Sequence, residues 1–178
     1  MIWWFSRRRK AERYLERLGC DALPHLKDQS LLEHLKRVAD WLDQQGSDEK
    51  TILAGLCHSL YGTEFYTRAP LPHSDRSLLR RLIGDFSEEI VWQFGRAKSA
   101  TFLATNDTLT FTDRVTTEPT TLRESSAHSF AEVVVANGYD HLNQNHQNNR
   151  QILSMISPVL QLCNTKIKRL ISSHPDWP

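Results

Sequence analysis

The residues of this sequence whose types could do chemistry are His34, His58, Ser59, Thr63, Glu64, Asn137 and Asp140. The stretch LAGLCHSLYGTEFY, residues 53–66, begins like the middle of a buried helix. It then sets His58, Ser59, Thr63 and Glu64 around Gly62. Packing requires none of these groups. Two histidines and a carboxylate can hold a divalent ion, and His34, His58 and Glu64 are the expected ligands. The cofactor stays open: one divalent ion such as Fe, Mn, Zn or Mg could bind there, or none. Glu64 and Thr63 are the candidate catalytic residues, the first completing the charge and the second, with Ser59, orienting substrate or water. The same positions support a plainer reading. His34, His58, Ser59, Asn137 and Asp140 could bind a small polar ligand, or satisfy one another inside the protein. A buried polar group left unpaired costs on the order of 1–3 kcal/mol.

The elements that must position these groups read as helices. Residues 7–18 form one, stopped by Gly19. Ser30 followed by Glu33 is a capping-box pattern. Leu31, Leu35, Val38 and Leu42 then define an apolar face with His34 at its border. Gly46 ends that helix. A third starts at Ser47 or Asp48 and runs to about Leu60, with His58 on the side of Ala54 and Gly55. Residues 62–74 form an irregular connection. A helix capped by Ser74 or Asp75 runs through Ile83, and another covers 86–94. TFLAT and TLTFT flank Asn106-Asp107, where a minor hairpin competes with a loop. TTEPTT, 116–121, reads as a turn. Helical pattern returns over 122–142, where Phe130, Val133, Val134 and Asn137 share a face. Gly138 costs that helix roughly 1 kcal/mol relative to alanine, which close packing or a kink would explain. A polar connector at 143–149 leads to a C-terminal helical segment, 149–171, with a restart at Pro158.

The expected fold is all-α: a single domain over 1–178, with about six to eight helices and at most one minor β-hairpin. Lys and Arg number 22 against 21 Asp and Glu, a formal net charge of +1, which argues against a nucleic-acid binder. Three separated cysteines make neither a disulfide framework nor a zinc motif, so the cytoplasm is the expected compartment. In MIWWFSRRRK the apolar run precedes the basic one, the reverse of a secretory signal, and it is too short to span a bilayer. Integral membrane association is not expected. Trp3, Trp4 and Phe5 are expected to dock on the body or on a second copy in a homodimer.

LLEHLKRVADWLDQQG and TILAGLCHSLYGTEF resemble the opening of the HD superfamily of helical metal-dependent phosphohydrolases. The phrase AGLCHSLYGTE also looks like a family of uncharacterised bacterial proteins related to that fold. The resemblance covers about residues 30–142 and implies an HD-like helical bundle. His34 fits the first histidine of the pattern and His58 the histidine of its His-Asp doublet. VVVANGYD fits the downstream helix. Two positions depart: Ser59 stands at the doublet's aspartate and Asn137 at the last one. Losing two anionic ligands removes most of the field that holds a divalent ion in that pattern.

The expectation is therefore a remodelled histidine-containing pocket that binds a small ligand or serves as a scaffold, without ordinary HD phosphohydrolase activity. The alternative is a single-metal hydrolase of a phosphate ester or related small substrate, with Glu64 or Asp140 supplying the missing charge.

Overall fold

The computed structural model describes residues 2–25, 29–144 and 149–177, the side chains of 2–5, 143 and 144 excepted. The expected docking of Trp3, Trp4 and Phe5 lies outside the described side chains. Helix α1 spans Ile2–Arg17 and so begins well before the sequence pattern predicts.

Helix α2, Leu31–Gln45, starts where the capping box sets it. The Ser30 hydroxyl accepts from Glu33 N at 3.3 Å, and the Glu33 carboxylate accepts from Ser30 N at 2.8 Å. Gly46, at φ +81°, ends it in the left-handed conformation that glycine adopts without steric cost. Leu31, Leu35, Val38 and Leu42 are fully buried, and so is His34. Helix α3, Glu49–Cys57, is capped by Asp48, which accepts from Thr51 N at 2.7 Å. His58 is its C-cap. Gly55 lets α2 and α3 approach closely, since a Cβ there would collide with Leu42 Cδ1.

Helices α4 (Arg76–Ile83) and α5 (Asp85–Arg96) follow, with no side-chain cap from Ser74 or Asp75. Strands β1 (Leu103–Thr105), β2 (Thr108–Thr112) and β3 (Pro119–Arg123) form an antiparallel sheet in that order, with Leu103 opposite Thr110 and Leu109 opposite Leu122. The hairpin at Asn106-Asp107 is thus real, and the TTEPTT segment contributes a third strand where the sequence predicts only a turn. Along β2, buried Leu109 and Phe111 alternate with half-buried threonines, the pattern of a strand packed on one face. Phe111 stacks on Phe130 at 5.3 Å.

Helix α6, Glu124–Gln144, is the long element against which α2, α3, α5 and the sheet pack. Helix α7, Asn149–Ile156, crosses it at Gly138, where a Cβ would stand 2.7 Å from Ile156 Cγ2. Close packing therefore accounts for that glycine. Pro158 opens a 3₁₀ segment, Ser157–Leu162, and α8 spans Thr165–Ser172. The chain is mostly helical, with eight α-helices and one small sheet among the described residues. No helix among them is long and apolar enough to cross a membrane. Cys20, Cys57 and Cys163 are free and buried.

Candidate functional site

Helices α2, α3 and α6 turn their polar residues toward one interior spot. His34 lies three residues from Leu31 and Arg37, so α2 presents all three on neighbouring positions of one side. Its Nδ1 is 2.8 Å from Asp140 Oδ2 on α6, and its Nε2 is 3.2 Å from His58 Nε2. His58 Nδ1 donates to the Gly55 carbonyl at 2.7 Å, one turn back on its own helix. Arg37 donates to both oxygens of Asp140, at 2.6 and 2.9 Å. Burial opposes the charge on Asp140, but the hydrogen bonds from His34 and Arg37 outweigh it and hold the carboxyl well below the usual carboxylate range.

Proton bookkeeping makes the pair unusual. A carbonyl oxygen can only accept, so His58 Nδ1 carries a proton. An ionised Asp140 can only accept, so His34 Nδ1 carries one too. In the neutral form of each ring the second nitrogen is then a bare lone pair. The two lone pairs face each other across 3.2 Å, and something positive must sit between or beside them. Two nitrogens bound at 2.0–2.1 Å to one tetrahedral ion stand about 3.4 Å apart. An ion and a shared proton both fit that spacing.

Two further histidines complete the cluster. His25, in the connection before α2, stacks on His34 with ring centroids 4.1 Å apart. Both of its ring nitrogens are buried, and neither has a hydrogen-bond partner among the described residues. His141, on α6, lies 5.5 Å from the His34 ring and 5.7 Å from that of His25. One nitrogen from each of His25, His34 and His141 falls within 4.8 Å of the others, a set that does not include His58. Burial lowers His25 to about 3 and His141 to about 4, and the neighbouring His34 adds to both shifts. Burial also lowers His58 well below the ordinary histidine range. All three rings therefore hold their lone pairs at neutral pH.

His25 and His141 form the wall between this cluster and a cavity of 380 Å³. Ser59, Thr63, Glu64 and Asn137 line the same cavity, beside Phe94, Phe102, Phe130, Val134, Ile152 and Met155. The expected residues fall in two neighbouring groups: His34, His58 and Asp140 are bonded to one another, and Ser59, Thr63, Glu64 and Asn137 line the cavity. The Glu64 carboxylate accepts from Ser99 N at 2.8 Å and Ser99 Oγ at 2.7 Å, so it ties two loops together. Asp140, in place of Glu64, is the carboxylate at the histidine pair. Thr63 Oγ1 accepts from Tyr66 N at 2.9 Å and shapes the turn after Gly62.

Residues 14–98 match a family described as a domain of unknown function, DUF6817. No curated protein and no solved structure matches the chain. The matched span carries His25, His34 and His58, whereas Asp140 and His141 come from α6 beyond it.

Sequence reasoning missed His25, Arg37 and His141. His141 lies four residues past Asn137 and Arg37 three past His34, so helical spacing alone could have flagged both. His25 follows Pro24 in an irregular connection, where no periodicity exists to reveal it.

Proposed function

We propose that this protein is a single-metal hydrolase of a small molecule, with the ion held by His34 and His58 and a third ligand from His25 or His141, the fourth position being left to water or substrate. The observation that carries this reading is the pair of facing lone pairs at 3.2 Å, each fixed by a donor bond on the far side of its ring. Metal-binding histidines characteristically donate their other N–H to a carboxylate or a backbone carbonyl, as these two do. The buried nitrogens of His25, without a partner among the described residues, support it as well. Each such atom costs on the order of 1–3 kcal/mol, a penalty that a ligand at that spot offsets. A neutral imidazole set suits an ion such as zinc or ferrous iron better than magnesium. The helical frame, with His34 and His58 on successive helices facing a downstream one, is in keeping with the resemblance to the HD superfamily.

A bound divalent ion would supply Lewis acidity, polarising a substrate oxygen or activating a water. The chain's own residues set the stage for it. Asp140 and the Gly55 carbonyl fix the orientation of the two rings. Arg37 neutralises Asp140, so the site itself carries little net charge. Ser59 and Asn137 offer hydrogen bonds to an occupant of the cavity, and Phe94, Phe102 and Phe130 line it with apolar surface.

A second reading rests on the same distance. An N–H···N hydrogen bond also spans 3.2 Å, and a doubly protonated His34 between Asp140 and His58 would make the centre a metal-free ligand pocket. Elemental analysis of protein purified without a metal-binding tag separates the two. One equivalent of a transition metal is expected, lost in His34→Ala and His58→Ala. A folded protein that takes up no metal at any loading would leave only the ligand pocket.

A further inference from the structure

The cavity is selective in its chemistry. Its aromatic wall begins at the histidines: the Phe94 ring meets that of His58 edge-on at 4.9 Å. It continues through Phe130, 5.9 Å from Phe94, to Phe102, 5.8 Å from Phe130. Ile152 and Met155 of α7 add aliphatic surface. No lysine or arginine is among the described residues that line the space. Arg37, beside the cluster, is held by both oxygens of Asp140. The lining does include one carboxylate, that of Glu64.

A phosphate monoester carries close to two negative charges near neutral pH. Placing it here would strip its water and set it beside Glu64, where the described walls supply no counter-charge and only a bound ion would. Desolvating an unpaired charge is among the costliest steps a site can ask for. The apolar walls favour a ligand with the opposite profile, contributing roughly 25 cal/mol for each Å² of apolar surface covered.

We propose that the cavity takes an uncharged carboxylic ester or amide whose larger part is aromatic or branched aliphatic, and that its protein walls by themselves reject phosphate esters. The choice of a carbonyl compound rests on the hydrolase reading above; the preference for an uncharged apolar body rests on the walls alone. The apolar body lies along Phe94, Phe102 and Phe130. Its carbonyl end points toward Ser59, Asn137 and the histidines. In the reaction, a water oxygen bonds to the carbonyl carbon and the carbon–oxygen or carbon–nitrogen bond breaks. The leaving group takes a proton that the water gives up, so an acid and an alcohol or amine result with no oxidant or reductant.

Acetanilide and phenyl phosphate, which share the aryl ring and differ in the head group, are suitable probes. Saturation-transfer NMR is run with each on zinc-loaded and on metal-stripped protein. Saturable binding of acetanilide is expected in both states, and none of phenyl phosphate to the metal-stripped protein. Two variants that narrow the cavity, Val134→Phe and Met155→Trp, should each weaken acetanilide at least about tenfold; two are used in case one does not fold. Phenyl phosphate binding the metal-stripped protein as tightly as acetanilide would overturn the inference. So would acetanilide binding that a folded cavity-filling variant leaves unchanged. A protein that takes no metal yet still binds acetanilide in this cavity refutes the hydrolase and leaves the uncharged-ligand preference standing.

Discussion

His34 Nε2 and His58 Nε2 face each other at 3.2 Å while the opposite nitrogen of each ring is already bonded, to Asp140 and to the Gly55 carbonyl. Asp140 thus acts on any bound ion through His34, by fixing which nitrogen is bare. Asp140→Asn keeps the shape and removes the charge that Arg37 and His34 share. Metal affinity should fall 10–100-fold, as for other outer partners of metal-bound histidines. Competition against a chelating dye measures it, and an unchanged affinity would remove Asp140 from the centre.

Glu64 offers the converse test. Its carboxylate is tied through Oε2 to Ser99 rather than to the histidine pair, so Glu64→Gln should leave metal stoichiometry intact. The loop it anchors should loosen, raising amide exchange around Ser99 and lowering stability by about 1–2 kcal/mol, the value of a charged hydrogen bond in a partly buried place. Loss of metal in this variant would restore Glu64 as a ligand.

The metal-free protein should be sensitive to acid well above the usual carboxylate range. Burial holds His25 at about 3 and His141 at about 4, against 6.5 for an ordinary histidine. Both folded values lie below the unfolded one, so unfolding takes up protons as the pH drops. The stability at issue is fully present above about pH 6.5 and is lost progressively toward pH 4 and then 3. Allowing for solvent around these half-buried rings, the slope is on the order of 1 kcal/mol per pH unit. Urea titrations at several pH values should show it, and a His25→Gln, His141→Gln double variant should flatten it. Equal slopes in the two proteins would refute the assignment.

Gly138 sits where α7 crosses α6, with Ile156 Cγ2 2.7 Å from the position a Cβ would take. Gly138→Ala gains roughly 1 kcal/mol of helix propensity. The overpacking should exceed that gain, for a net loss of about 1–2 kcal/mol. Adding Ile156→Ala relieves the collision, so the double variant should be less destabilised than the sum of the two singles. Strict additivity in chemical denaturation would place the strain elsewhere.

The sequence by itself determined the helical elements around the site. Ser30 and Glu33 cap α2, Leu31 to Leu42 bury one face of it, and Gly46 stops it, all through bonds and contacts local to a few residues. Helical spacing likewise placed His34 at the border of that face. It did not reveal β3, because Pro119 and its threonines become a strand only when β2 offers a ladder to pair with. Nor did it assign the carboxylate. Glu64 is nearer His58 in the chain, but the turn after Gly62 sends it to Ser99, while α6 carries Asp140 across to His34 from 106 residues away. Hydrogen bonds within a helix turn follow from sequence spacing. Which lone pairs meet across three helices depends on how their faces pack, and only the tertiary structure decides that.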